Sequence, residues 1–144
     1  MSKQVLSIEQ MQHLEELGVD TSKANFYWHR TKSLNNYNDW DEWKLHYGVL
    51  RLARGFTTIN CQYVRTFTLQ DILDLLPNLI QSQDEENNYW LEFGTAMEDE
   101  EWWYIRYMSV YGVKLNYEEH VHLIDAAYEM LCWCIVNGYV ETKK

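Results

Sequence analysis

The residues YWLEF at 89–93 and WWYIRYMSV at 102–110 carry the clearest structural signal in this sequence. In the first segment, apolar residues alternate with Trp90 and Glu92, which is the two-residue period of a strand. In the second segment one strand face would carry Trp103, Ile105 and Tyr107, and the other would carry Trp102, Tyr104, Arg106 and Met108. Because only a short connection separates them, the two segments predict an antiparallel hairpin. The acids at 98–101 in that connection would oppose edge-to-edge pairing with another sheet.

Three amphipathic patterns predict helices before, between and after the strands. They cover residues 8–17, 69–76 and about 118–137. Ser7 and Thr68 stand directly before the first two patterns, where a side-chain oxygen caps the free N–H groups of a helix. The third pattern is apolar around most of its circumference, so we expect this helix to be buried, or to meet a partner near its end.

The rest of the chain supplies two further strands and their connections. Residues 25–30 are rich in aromatic side chains, and residues 43–49 alternate, so both predict strands. Residues 33–41 and 81–88 are polar and predict loops. Residues 50–66 are ambiguous, because they fit a short helix, another strand or a long loop.

Together these elements predict one α+β domain over residues 1–144. It has about four mostly antiparallel strands and three helices, in the order α-ββ-α-ββ-α, with the last helix across the sheet. The element order occurs twice, and Tyr27-Trp28 resembles Tyr89-Trp90, so a faint internal repeat is visible.

Composition indicates an intracellular globular protein. Of the 144 residues 47% are hydrophobic, but no run approaches the roughly 20 apolar residues that span a membrane. The N-terminus leads into an amphipathic pattern rather than an apolar signal core. Cys61, Cys132 and Cys134 are odd in number, which favours reduced thiols and a cytoplasmic location.

The net charge and its distribution along the chain indicate which classes of partner are favoured. The chain has 22 acids and 12 bases, a net charge of −10, which disfavours direct nucleic-acid binding and favours a basic protein partner. Residues 43–70 contain no acid, however, and hold Arg51, Arg54 and Arg65 as candidate anion-binding residues. The alternative is that these arginines pair with the acids of residues 71–101.

Motifs that carry catalysis or metal binding are absent from the sequence. There is no glycine-rich phosphate loop, no nucleophile elbow and no HExxH pattern. His120 and His122 follow two glutamates, but we expect a solvated helix start there rather than a metal site. We therefore predict neither an enzyme nor a cofactor.

The tryptophans divide into two groups. Those on the predicted strand faces are expected to lie mostly in the core, and they are Trp28, Trp43, Trp90 and Trp103. Trp40, Trp102 and Trp133 occupy positions where polar residues are expected, which makes them candidates for protein contact. Trp133 on the last helix suggests a homodimer contact, unless the first helix covers it, so both a monomer and a homodimer are open.

Three segments are similar to one protein group. They are residues 5–14 (VLSIEQMQHL), 67–73 (FTLQDIL) and 127–135 (AYEMLCWCI). Together they resemble a group of small uncharacterised proteins encoded in gut Bacteroidales genomes, often near phage or mobile-element genes. The resemblance implies a cytoplasmic location and an accessory role.

Two functions fit these observations. The first is a non-catalytic acidic protein-interaction domain, such as an inhibitor, immunity or anti-defence factor, which the charge and the three tryptophans favour. The second is a small-ligand binder that captures an anionic metabolite or nucleotide. The three arginines in the segment without acids, residues 43–70, favour this function.

Overall fold

Three helices and two antiparallel sheets form the described part of the chain, which is residues 3–33, 36–48, 61–82, 87–96 and 101–143 of the computed structural model. The first sheet contains β1 (Phe26–Ser33), β2 (Asn36–Trp40), β3 (Lys44–Tyr47) and β4 (Cys61–Thr66). The second sheet contains β5 (Leu79–Gln81), β6 (Asn88–Thr95), β7 (Trp103–Met108) and β8 (Lys114–His120). The helices are α1 (Ile8–Glu16), α2 (Leu69–Leu75) and α3 (Leu123–Val136).

The α+β class, the antiparallel pairing and the three helices are confirmed, but the predicted number of strands is too low. Each predicted pair of strands is a four-stranded sheet. The polar segment 33–41 contains β2, and β5 begins after the predicted helix end at 76 and reaches the start of the predicted loop 81–88. The ambiguous segment 50–66 contains β4, and its residues 50–60 lie outside the described residues.

The second sheet is a simple meander in the order β5-β6-β7-β8. The predicted hairpin is confirmed as β6 and β7, with Glu92 opposite Arg106 in the register. α3 packs across β7 and β8, as the sequence predicts for its last helix. Ile105 and Tyr107 on β7 face α3 and are completely buried.

The start of α3 corrects another expectation. The helix was expected from about residue 118, but β8 continues to His120 and α3 begins at Leu123. Glu118 and Glu119 therefore pair with β7 as strand residues. His122 is the N-cap of α3, although its side chain forms no capping hydrogen bond.

The first sheet has a different topology, because β2, β3 and β4 all pair with β1. The two halves of the chain thus share the order of their elements but not the pairing of their strands. The first sheet joins the core through Leu6, whose carbonyl accepts hydrogen bonds from Thr66 Oγ1 at 2.7 Å and Trp28 Nε1 at 3.0 Å. The amide of Leu6 donates to the carbonyl of Phe67 at 3.0 Å.

The capping box predicted at Ser7 and the cap predicted at Thr68 are both present. The Ser7 hydroxyl accepts from the Gln10 amide, and the Gln10 side chain accepts from the Ser7 amide. Thr68 and Asp71 form the same reciprocal pair at α2. Among the described residues, no helix is long and apolar enough to cross a membrane.

A buried carboxylate joins α1 to α3. Asp125 is only 6% exposed, and its Oδ1 accepts from Lys3 Nζ at 2.7 Å and from Gln10 Nε2 at 2.9 Å. Farther along the same seam, His13 Nδ1 lies 2.6 Å from the Tyr128 hydroxyl. Burial alone would raise the pKa of Asp125, but the hydrogen bonds from Lys3 and Gln10 outweigh it and hold this pKa below 3.8.

Replacing Asp125 with asparagine should lower the free energy of unfolding by about 1–3 kcal/mol, because Lys3 and Gln10 lose a charged acceptor. The folded pKa is lowered, so the stabilisation is present above pH 3.8 and disappears as the pH falls through the folded value. Urea unfolding of Asp125→Asn and the parent between neutral and acidic pH would measure this difference. Asp74→Asn on the exposed side of α2 is the control and should change stability much less. A difference between parent and Asp125→Asn that does not shrink on acidification would contradict this account.

Candidate interaction surfaces

The second sheet has one face against α3 and one face that no described element covers. This open face is formed by Trp90 on β6, by Tyr104, Arg106 and Met108 on β7, and by Tyr117 on β8. Trp90 is 51% exposed. An antiparallel sheet commonly leaves one face to solvent, but that face is then mostly polar. Here three aromatic rings share the face with the charged side chains of Glu92, Arg106 and Glu119.

Contacts among the rings and cations order the open face. The rings of Tyr104 and Tyr117 stack with their centroids 5.7 Å apart and 13° between their planes. The Arg106 guanidinium lies 4.8 Å from the Tyr104 ring centre and forms an ion pair with Glu92. Lys114 Nζ lies 4.7 Å from the Tyr117 ring centre. Because these contacts already order the side chains, less side-chain conformational entropy is lost when a ligand binds here.

A glycine on β6 makes room for this arrangement. A Cβ atom at Gly94 would lie 3.1 Å from the hydroxyl oxygen of Tyr104 and 3.2–3.3 Å from its ring carbons. The Tyr104 ring therefore lies directly on the β6 backbone. A side chain at 94 would therefore require the Tyr104 ring to shift by a few tenths of an ångström.

The turn between β7 and β8 extends the apolar surface. This hairpin tip consists of Val110, Tyr111 and Val113, of which the first two are 80% and 79% exposed. Ser109 holds the turn, since its amide donates to the Val113 carbonyl at 2.9 Å and its Oγ accepts from the Val113 amide at 3.1 Å. Met108 leads from β7 into the tip and pairs with Trp90, so the tip borders the open face. The large exposed apolar side chains are thus held in an ordered turn.

The tryptophans do not divide as the sequence predicted. Trp90 and Trp103 were expected in the core, but they are 51% and 37% exposed. The strand alternation already predicts an exposed Trp90, because Trp90 lies on the same strand face as Glu92. The expectation from residue type, that tryptophan prefers the core, gave the wrong result there.

Trp133 is covered by the chain itself. Its ring stacks on Tyr139 at 5.4 Å and lies 6.4 Å from the ring of Tyr107. The cover comes from the residues after α3, whereas α1 docks on the side of α3 that carries Asp125 and Tyr128. Trp102 is half-buried directly before β7, with its ring 6.4 Å from that of His120.

Trp40, the third contact candidate, belongs to a cluster of cations and indole rings on the first sheet. We define this Trp–Arg cluster as Arg30, Lys32, Trp40, Trp43 and Gln62. The Arg30 guanidinium lies 4.8 Å from the Trp40 ring centre and 4.4 Å from that of Trp43. Lys32 Nζ lies 4.9 Å from the Trp40 ring centre. Arg30 Nε also donates to Gln62 Oε1 at 2.6 Å.

Three strands of the first sheet are basic although the chain is acidic, and the fourth, β2, contains one acid, Asp39. β1, β3 and β4 contain no aspartate or glutamate, and their cations are Lys44, Arg65, Arg30 and Lys32. The face of β1 opposite the Trp–Arg cluster carries His29, whose ring stacks on that of Tyr63 at 4.9 Å. Burial lowers the pKa of His29, and the neighbouring charges of His46 and Lys44 lower it further.

Of the three predicted anion-binding arginines, the described residues include only Arg65. Its Nη1 donates to the Ala24 carbonyl at 3.4 Å, and it lines a cleft of about 610 Å³ together with Tyr63 and Lys143. Arg51 and Arg54 lie outside the described residues.

The described residues hold no cluster of three or more histidine, cysteine, aspartate or glutamate side chains placed to bind a metal ion. Cys61, Cys132 and Cys134 are buried and form no disulfide. Burial raises the pKa values of Cys132 and Cys134 to about 11, so both thiols are protonated at neutral pH.

Comparison with known protein families, with curated proteins and with solved structures gives no match for this chain. Function therefore has to be inferred from the chemistry of the open face and the Trp–Arg cluster.

Replacing Trp133 with lysine should destabilise the fold by about 3 kcal/mol, because it removes a large packed ring and places a charge between Tyr107 and Tyr139. The same change at Trp90 should alter the free energy of unfolding by only about 1 kcal/mol or less, since the ring is on the open face. Chemical denaturation of both variants measures the difference. Equal losses in the two variants would show that the assignment of these tryptophans to core and surface is wrong.

Proposed function

We propose that this chain is a non-catalytic, acidic protein-interaction domain, an accessory factor of the inhibitor, immunity or anti-defence type. Its partner binds the open face of the second sheet and the neighbouring hairpin tip. The observation that carries the proposal is the open face itself: an uncovered, ordered array of tryptophan, tyrosine and arginine beside a highly exposed apolar turn.

These residue types are the ones that contribute most to binding between proteins. Tryptophan, tyrosine and arginine dominate interface hot spots, because they bury a large area and keep a polar group for a directed contact. Trp90, 51% exposed on β6, is the principal anchor. Tyr111 on the hairpin tip offers a second ring, 79% exposed. Large apolar side chains exposed close together on a small domain are a usual sign of a binding surface.

Charge selects the chemistry of the partner. On the open face, Arg106 is neutralised by Glu92, and Glu119 accepts a hydrogen bond from the Tyr117 hydroxyl at 3.0 Å. In the sequence, the connections on either side of β6 are also acidic, with acids at 84–86 and 98–101. With a net charge of −10, long-range attraction accelerates encounter with a basic protein surface.

Capture from a lysate of the native host at low salt would test this function. The parent chain should recover a basic protein, and recovery should fall about thirtyfold for Trp90→Ala, which removes the central anchor. Higher salt should weaken binding by screening the attraction. Tyr47→Ala is the matched control, because Tyr47 is 74% exposed but lies on the first sheet.

The proposal fails if no protein is recovered at low salt. It also fails if Trp90→Ala and Tyr47→Ala recover the partner as well as the parent does, since the open face would then have no role. Circular dichroism of both variants establishes that the fold is intact before recovery is compared.

Capture of an anionic metabolite or nucleotide is the second candidate, and the cleft beside Arg65 favours it. Arg65 supplies positive charge there and Tyr63 supplies a ring, whereas Lys143 in the same cleft pairs with Asp20 at 3.4 Å. A thermal-shift screen against nucleotides should then raise the melting temperature of the parent, and Arg65→Gln should abolish the increase, because the guanidinium is the group that binds the anion. No increase with any nucleotide, or an equal increase in Arg65→Gln, would exclude this cleft.

A further inference from the structure

Strand geometry brings the members of the Trp–Arg cluster together. Arg30 and Lys32 are two residues apart on β1, so their side chains lie on the same face. Gln62 on β4 pairs with Arg30, and Trp40 on β2 pairs with Lys32. Two cations, two indole rings and one amide thus meet on one side of the first sheet.

Among the side chains that the structure describes, no ion pair joins Arg30 or Lys32 to a carboxylate. Arg30 Nε donates to the neutral side chain of Gln62. Asp41 and Glu42 line one groove together with Arg30, but the Asp41 Oδ2 accepts from Thr31 Oγ1 at 2.9 Å. Thr31 lies between Arg30 and Lys32 on β1 and therefore points to the other face.

The second sheet shows how unusual this is. Arg106 also lies over an aromatic ring, but its guanidinium holds the Glu92 carboxylate. The chain has 22 acids and 12 bases, so a cation without a carboxylate partner is unexpected on numbers alone. Arg30, by contrast, donates from Nε to the neutral side chain of Gln62.

We propose that the Trp–Arg cluster is a binding site for a dianionic oxyanion of the phosphate-monoester type. The rings of Trp40 and Trp43 fix the Arg30 guanidinium and reduce its access to water, which strengthens its interaction with an anion. The two terminal nitrogens of Arg30 form a planar fork that matches two phosphate oxygens, and Lys32 adds a second positive charge. Two cations match a dianion better than the single charge of a carboxylate.

This site is separate from the open face used in the proposed function, and it is also separate from the cleft beside Arg65. Arg65 lies on β4 next to Tyr27 in the register, on the face opposite Arg30. Variants therefore distinguish the three surfaces.

Titration with inorganic phosphate at about pH 8, where phosphate is mainly dianionic, would test the site. The indole N–H resonances of Trp40 and Trp43 in a ¹⁵N correlation spectrum report binding, and replacement of each ring with phenylalanine assigns them. Potassium chloride at matched ionic strength is the control for non-specific effects. We expect saturable shifts with phosphate and O-phosphoserine, and affinity about tenfold lower in Arg30→Gln and in Lys32→Gln. Arg106→Gln, Arg65→Gln and Trp90→Ala should bind phosphate like the parent.

Several results would overturn the assignment. One is the absence of a saturable shift, and another is an equal shift with potassium chloride. Unchanged phosphate affinity in a folded Arg30→Gln or Lys32→Gln variant would also overturn it. Two variants are used so that the test still works if one of them does not fold. Acetate binding as tightly as phosphate would refute the preference for a dianion. Failure of the lysate capture leaves this test unaffected, because it probes a different sheet.

Discussion

The buried Asp125 carboxylate is the constraint on which the arrangement of this molecule depends. It binds Lys3 and Gln10, so the N-terminal segment and α1 are fixed against the start of α3. Leu6 lies between those two residues, and its backbone holds Thr66 and Trp28 of the first sheet. α3 in turn packs on the second sheet. Both sheets are therefore tied to one short segment, which the buried charge anchors and whose Leu6, Met11 and Leu14 pack in the core.

Local signals determined how much of the fold was predictable. The capping boxes of α1 and α2 and the alternation of β6 and β7 are encoded within a few residues, and those elements were found. β8 was missed because Lys114–His120 is mostly polar and has a register shift against β7, which breaks the two-residue period. β2 is an asparagine-rich strand that exists because it pairs with β1, a contact that propensity does not contain.

The same distinction applies to the candidate sites. Trp90 could have been placed on the open face from its alternation with Leu91, but the stack of Tyr104 and Tyr117 depends on the register of β7 against β8. Likewise, Trp40 was a contact candidate from its polar surroundings alone, whereas its neighbours Arg30 and Gln62 come from two other strands. Single residues were therefore accessible from the sequence, and their combinations required the strand pairing.

The contact between Gly94 and Tyr104 also has an evolutionary consequence. The ring lies within 3.1–3.3 Å of where a Cβ atom at 94 would be, so the two positions are coupled. A lineage that acquires alanine or a larger residue at 94 must shift the tyrosine ring, even though no aromatic residue of the binding face has mutated. Divergence of this kind would leave a stable domain with an altered partner, and a glycine would be the first place to look for it.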